Sequence, residues 1–214
     1  MRLIVVEQQA DAPSGLLGEW AAQRGANVQV LRAPELEAWP DPREADAVVA
    51  LGSDQSVHAS REPWIAEQLR FLRTAHDAGV PVLGICFGAQ ALSAALGGTV
   101  SAAPRTEIGW IDVDGEDGYG GRWFTWHEDV FTLPPGAQEL ARAPSGPQAF
   151  AVGASVGVQF HPELTEAIVD GWLASDGDAV RDPEALRRET AEAAAGVRDR
   201  AFHLFDRITV RWVR

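Results

Sequence analysis

The chain has 214 residues, 46% of them hydrophobic and 23% charged, which is the composition of a globular domain able to bury a core without disulfides or metals. Its 31 acidic residues against 18 basic ones give a net charge of −13, which speaks against nucleic-acid partners and against anionic membrane surfaces, because both need clustered cations. One cysteine, Cys86, excludes an intramolecular disulfide and a cysteine-rich zinc site, and no run approaches the ~20 apolar residues that span a bilayer.

Met1 to Val6 lacks the basic region and small-residue cleavage site of a signal peptide and reads as a first strand over Leu3–Val6. A reducing cytoplasm is therefore the expected location. Ser14 precedes Leu16, Leu17, Trp20 and Ala21, a helix-like pattern that ends near Gly25. Val28, Val30 and Leu31 indicate a second strand, and Pro34 to Pro42 a proline-bearing loop. Ala47–Leu51 is another buried-strand run, stopped by Gly52-Ser53-Asp54. Pro63 opens a helix at its favoured position, with Ile65, Leu69 and Leu72 on the inner face and Gly79 at the end. Val80–Ile85 reads as a strand and Phe87–Leu96 as a helix.

This alternation predicts an α/β fold, a mostly parallel sheet flanked by helices on both faces. From Thr99 to Phe160 the character changes to short strand-like runs, Ile108–Val113, Trp123–Trp126, Gln148–Val152 and Val156–Phe160, so antiparallel additions are expected. Ile168–Leu173 is helical again. Ser175–Asp182 is a polar break, and Pro183–Arg207 reads as one long charged helix or two shorter ones. The division expected is a domain over 1–175 and a C-terminal helical extension over 176–214 packed on it.

Gly84-Ile85-Cys86-Phe87-Gly88 lies between a predicted strand and a predicted helix, a G-x-C-x-G form of the nucleophile elbow. A strand that turns sharply into a helix puts its corner residue at the helix N-terminus, where the macrodipole favours a thiolate. The flanking glycines permit the close backbone approach, and the N–H of Phe87 is aimed to stabilise an oxyanion. A lone cysteine without that setting reads as a small buried hydrophobe.

A nucleophilic cysteine needs a base. Of His58, His76, His127, His161 and His203, His161 has the most suitable setting. It follows a strand-like run, and Glu163 stands two residues on, across the stiff Pro162, where it can orient the imidazole. The competing interpretation is a structural His-Pro turn. The order nucleophile, base, acid differs from that of the α/β-hydrolases.

Gly-Ile-Cys-Phe-Gly-Ala-Gln at 84–90 together with Gln-Phe-His-Pro-Glu at 159–163 resembles the class I, triad-type glutamine amidotransferases, the GMP synthetase amidotransferase domain among them, over roughly residues 1–175. The resemblance implies a flavodoxin-like sheet and no cofactor. It implies that Cys86 attacks the glutamine side-chain carboxamide to form a γ-glutamyl thioester and release ammonia, with His161 moving protons and Glu163 orienting it. By the same resemblance Gly52 and Ser53 complete the oxyanion hole with Phe87. Gln90 contacts the bound glutamine, and Trp126-His127-Glu128-Asp129 stands where the substrate α-amino and α-carboxylate groups bind. Two positions depart from the family pattern. Ser53 stands where a second glycine is usual, and Trp126 and Glu128 replace the small residues of Ser-His-Gly-Asp.

Other features read as packing or solvated surface. Glu107 and Trp110 are expected in a strand near the pocket, Trp64, Trp123 and Trp172 in the core or at its rim, and His58 in a loop after Gly52. Asp112 and Asp114, alternating with Val113, are expected to face solvent and not a metal. His127 is an alternative base. Three functions compete: a glutaminase component feeding ammonia to a separate synthetase, a stand-alone hydrolase or transferase of γ-glutamyl amides or peptides, and a non-catalytic regulatory module. No G-x-x-x-x-G-K-[ST] loop occurs in the 214 residues, so an ammonia acceptor would be a separate partner.

Overall fold

Four short segments are buried along nearly their whole length: β1 (Arg2–Glu7) at its four central residues, and β3 (Ala47–Ala50), β4 (Val82–Ile85) and β9 (Ser155–Val158) at every residue. Continuous burial marks strands covered on both faces, the situation of a parallel sheet between helix layers. The computed structural model, which describes residues 1–212, shows that arrangement. The remaining strands are β2 (Asn27–Arg32), β5 (Val100–Gly115), β6 (Gly121–Phe131), β7 (Gln138–Ala143) and β8 (Gly146–Val152). The helices are α1 (Gly15–Gln23), α2 (Pro63–Asp77), α3 (Phe87–Ala95), α4 (Glu166–Asp176) and α5 (Pro183–Val210), with 3-10 turns at Ala33–Glu35, Pro42–Glu44 and Gly177–Ala179.

The nine strands lie in the order β2-β1-β3-β4-β9-β8-β7-β5-β6. The first four pairings are parallel and the last four antiparallel, so the antiparallel part is as large as the parallel part. Alternate residues of β1 divide the core. Leu3 and Val5 face α1 and α5, packing with Leu17, Trp20, Leu204 and Phe205. Ile4 and Val6 face α2 and α3, packing with Phe71, Leu72, Phe87 and Leu92.

Several expectations need adjusting. Leu69 packs against the core beside Ile65 and Leu72 as expected but is only half-buried, and Gln68 and Ala75 complete the inward stripe of α2. β7 was not expected. Its sequence, QELARA, lacks β-branched residues, and it becomes a strand because Leu140, Ala141 and Ala143 bury against the sheet beside β8. β5 runs for 16 residues, past Pro104 and an irregular pairing between Ala102 and Glu107. Asp112 and Asp114 are exposed on either side of buried Val113.

Pro183–Val210 is one helix, capped by Asp182, whose carboxylate accepts from the Ala185 N–H. Val197, Ala201, Leu204, Phe205 and Ile208 of α5 bury in the same core as α1, and Asp206 accepts from Trp20 Nε1 at 2.9 Å. Among the described residues no helix is long and apolar enough to cross a membrane.

The register places the site. Ala50 pairs with Gly84, and Ile85 pairs with Val158, both in parallel. Parallel strands end on the same edge, so Leu51–Ser53, Cys86 and Gln159–His161 emerge side by side at the carboxyl ends of β3, β4 and β9, the usual position of a ligand crevice in such sheets.

Candidate active site

Cys86 occupies the corner between β4 and α3 at φ 52 and ψ −109, the one positive-φ residue other than glycine among those described. The corner is fastened from both neighbouring strands. Cys86 N–H donates to Val158 O at 2.8 Å, and Gly88 N–H donates to Leu51 O at 3.0 Å. A Cβ on Gly84 would lie 2.4 Å from Gly88 O, and one on Gly88 would lie 2.0 Å from Ala50 O, so both positions require glycine. Phe87 begins α3, where the first N–H groups have no partner within the helix.

The thiol is 3% exposed and opens on a cavity of about 450 Å³. Gln159 Nε2 donates toward Sγ at 3.6 Å, and the thiol faces the Trp126 carbonyl at 3.8 Å. Gln159 Oε1 accepts in turn from Gln90 Nε2 at 3.3 Å, and Gln90 Nε2 also donates to Asp129 O at 3.1 Å. Gln90 lines the cavity, and its amide N–H groups are spent on these two internal acceptors.

His161 is set by its own backbone, whose N–H donates to Phe124 O at 2.9 Å, and by Trp172, which packs against the ring at 4.8 Å and 65°. Its Nδ1 lies 2.7 Å from Glu163 Oε1, and both side chains are almost fully buried. Burial pushes the imidazole pKa down, but the Glu163 carboxylate and then Cys86 outweigh it and push the value up to about 10. Among the described residues Oε2 of Glu163 has no hydrogen-bond partner, and the imidazole of His161, with Nδ1 taken by Glu163, has the Cys86 thiol as its other interacting group.

Gly52 joins the two halves of the site. A Cβ there would meet His161 Cε1 at 3.2 Å and Cys86 Cβ at 3.9 Å. The loop that follows is tied down by side chains: Ser53 Oγ accepts from Gln55 N–H at 3.1 Å, and Gln9 Oε1 accepts from Asp54 N–H at 2.6 Å. Asp129 holds the far end of the loop, accepting from Ser56 Oγ at 2.6 Å and bonding His58 Nε2 at 3.1 Å. His58, expected as a loop histidine, is therefore anchored.

Trp126, His127, Glu128 and Asp129 lie on strand β6, and all four line the cavity. His127 is fastened at both ring nitrogens, Nδ1 to Asp129 O and Nε2 to Glu107 Oε2, each at 3.0 Å. No ring nitrogen is left for Cys86, which argues against His127 as the base. Glu107, expected to be a packing residue, is the anchor of His127. The hydrogen bond from His127 holds its carboxyl below the usual range, burial opposes this, and Ser145 Oγ adds a second donor.

Sequence reading missed the bond of Gln159 to the thiol and the contribution of Gln9, Asp11, Trp172 and Asp176 to the cavity wall. Gln159 was legible in principle, as a polar residue within an apolar strand end. The others come from loops and a helix distant in sequence, and only tertiary packing brings them here. Among the described residues no group of three or more His, Cys, Asp and Glu is arranged to hold a metal.

Comparison with known proteins fits this geometry. Residues 16–171 match the family described as glutamine amidotransferase class-I. The chain is 32% identical over 207 residues to the glutamine-hydrolyzing GMP synthase of Aeropyrum pernix, covering 84% of this chain and 39% of that protein. It is 33% identical over 142 residues to the corresponding enzyme of Ralstonia pickettii, covering 57% of this chain and 25% of that protein. The chain thus spans well under half the length of these curated relatives. A glutamine amidotransferase of Methylobacillus flagellatus superposes with a TM-score of 0.89 at 25% identity, over 99% of this chain and 94% of that one. One from Thermotoga maritima superposes with a TM-score of 0.87 at 24% identity, over 97% of each chain, a likeness of fold. With the family match covering more than two thirds of its length and including the elbow and the His161–Glu163 segment, the chain belongs to the class I glutamine amidotransferases.

Proposed function

We propose that this chain hydrolyses a side-chain amide of the glutamine type through Cys86, His161 and Glu163. The observation that carries the reading is the buried His161–Glu163 pair at 2.7 Å, with the Cys86 thiol interacting with the same imidazole and opening on the same cavity. The proton given up by Cys86 rests on His161, whose raised proton affinity holds it there. The sulfur attacks the γ-carbonyl carbon. The oxyanion forms against the N–H groups of Phe87 and of Gly52–Ser53. The imidazolium then protonates the leaving nitrogen, ammonia departs, and a γ-glutamyl thioester remains. Water activated by His161 hydrolyses the thioester to glutamate and restores the thiol. Glu163 keeps the ring oriented throughout.

The substrate's glutamyl end binds against Gln90, Trp126 and His127. Residues 1–175 act as the amidotransferase domain and 176–214 as an extension packed on it. The relatives are glutamine-hydrolyzing GMP synthases of which this chain spans a minor part, so ammonia transfer would engage a synthetase outside the 214 residues. The test is purified chain with L-glutamine, reading ammonia and glutamate separately. Equal release of both, abolished in Cys86→Ser, is the expected result. Release that persists in Cys86→Ser, or a Cys86 that a glutamine-analogue alkylator labels no faster than a free thiol, would overturn it.

A further inference from the structure

Two side-chain amides are buried beside the nucleophile, Gln159 at 1% exposure and Gln90 at 3%. An unmet hydrogen bond on a buried amide is costly, so the partners of these two fix which way each one points. The accounting starts at the main-chain carbonyl of Asp129. A carbonyl oxygen only accepts, so His127 turns its Nδ1–H toward it at 3.0 Å, and Gln90 turns its NH2 group toward it at 3.1 Å. The same NH2 group reaches Gln159 at 3.3 Å, and the atom it meets there has to be the acceptor, Oε1. Gln159 is left with its own NH2 group on the side of the sulfur, 3.6 Å from Sγ. Its main chain is pinned as well, the Gln159 N–H donating to Gln148 O at 2.8 Å.

A donor aimed at sulfur distinguishes two states of the cysteine. A thiol sulfur is a weak acceptor, whereas a hydrogen bond to an ionised partner is roughly twice as strong as one between neutral groups. The imidazolium of His161 is a donor to the same sulfur, but the reaction spends its proton on the leaving nitrogen. An amide keeps its N–H at every pH and through every step.

We infer that Gln159 is a further catalytic residue, a fixed donor to the Cys86 thiolate, and that Gln90 is the positioning residue that sets its direction from the Asp129 carbonyl. This rests on Cys86 being the nucleophile of the hydrolysis proposed above. No further reactant is needed. The sulfur gives up the Gln159 bond as its electron pair forms the C–S bond, and regains it when water cleaves the thioester and that pair returns to sulfur.

The experiment compares the full chain with Gln159→Met and Gln90→Met, which keep an unbranched side chain and lose the amide. The probe is iodoacetamide, whose rate with Cys86 is followed from acid to alkaline pH together with the ultraviolet absorbance of the thiolate. It carries no glutamyl end, so its rate reports on the sulfur and not on how a substrate is seated. The titratable groups that share the cavity with the sulfur are His161, His127, Glu128 and Asp129, with Asp11, Asp54 and Asp176 farther along the wall, and all are the same in the three proteins. On the acid side Gln159→Met should react on the order of tenfold more slowly than wild type, the low end for a hydrogen bond to a charged group, with the thiolate absorbance reduced in step. In alkali, where base alone ionises the thiol, the two rates should converge. Gln90→Met should show the same pattern by a smaller factor, because Gln159 keeps its donor and loses only its fixed direction. With glutamine, Gln159→Met should lower kcat and leave KM near that of wild type. A Gln159→Met profile that overlays wild type, or a deficit as large in alkali as in acid, which is what lost packing produces, overturns this inference and leaves amide hydrolysis standing. If Gln159→Met does not fold, Gln90→Met decides by the same two criteria. A wild-type Cys86 that reacts no faster than a free thiol at any pH, in a chain that releases no glutamate from glutamine, overturns both.

Discussion

Gly88 stands so close to Ala50 that a methyl group on it would sit 2.0 Å from the Ala50 carbonyl oxygen. The first turn of α3 is therefore seated directly on the end of β3, and the corner at Cys86 is defined by that contact as much as by its own dihedrals. Gly88→Ala should push the helix start off the sheet. Overpacking against backbone costs about 3 kcal/mol, which for a chain of this size lowers the melting temperature by roughly 6–12 °C. Alkylation of Cys86 by a glutamine analogue should slow in parallel. Gly171→Ala is the control. It lies inside α4, a Cβ there meets nothing within 4 Å, and it should leave the melting temperature unchanged or raise it. Equal destabilisation by both changes would mean that the Gly88 contact has no special weight.

Glu163 and His161 make a second prediction, about pH. The folded His161 pKa is about 10 against an ordinary 6.5, so the folded state holds this proton more tightly than the unfolded chain does. The contribution to stability is complete below pH 6.5 and is lost as pH rises through 10. Glu163→Gln removes the carboxylate responsible. The gap in melting temperature between wild type and Glu163→Gln should be widest at pH 6.5 and shrink steadily toward pH 10. A gap that grows with pH would contradict the sign. Activity should fall on the order of 10²-fold, the low end of what acid–base catalysis contributes, because the base itself remains. Cys86→Ser should fall further.

How legible the site was depends on how local its signals are. Gly84, Cys86 and Gly88 share one turn, and His161 and Glu163 flank one proline, so each motif is read within a few residues. The pairing of Ile85 with Val158 that unites them is a register, foreseeable only in outline from two buried-strand patterns. Gln159 appeared in the sequence only as a neighbour of His161, and its amide faces the thiol because residues two apart along an extended strand end point to the same side. The cavity wall was not legible at all. Trp172 and Asp176 reach it because α4 packs Ile168, Val169 and Trp172 onto Phe124 and Leu164, a contact between distant segments. β7 was missed for the same reason: QELARA has no strand signal of its own, and its neighbours impose the conformation.

The backbone at Cys86 carries a third prediction. A side chain at φ 52 and ψ −109 occupies a region that favours glycine and costs ~1–3 kcal/mol. Glycine gives back ~0.5–1 kcal/mol of that through the added freedom of the unfolded chain. Cys86→Gly should therefore be more stable than Cys86→Ala, by up to about 2 kcal/mol on those magnitudes, although both lack the thiol. Urea unfolding of the two variants measures the difference directly. Cys86→Ala as the more stable of the two would mean that the corner is not strained, and that the elbow geometry carries no cost for holding the nucleophile out over the cavity.

Asp129 carries the last prediction. Its side chain joins β6 to the loop after Gly52 through Ser56 Oγ and His58 Nε2, while its backbone carbonyl separately receives Gln90 and His127. Asp129→Ala removes only the side-chain half. Ser56 and His58 are near the surface and regain water, so the loss of two bonds to a charged acceptor should cost about 1–3 kcal/mol, not unfold the chain. Amide exchange should accelerate over residues 53–60 and stay slow in β4 and α3. Gly52 packs against His161 and Cys86 at the base of this loop, so turnover should fall even where the fold survives. Substrate that saturates normally while kcat drops would place the effect on oxyanion positioning. If exchange in the loop stays slow and kcat is unchanged, then Gln9 and Ser53 alone hold Gly52 in place, and the Asp129 carboxylate is free to serve the cavity.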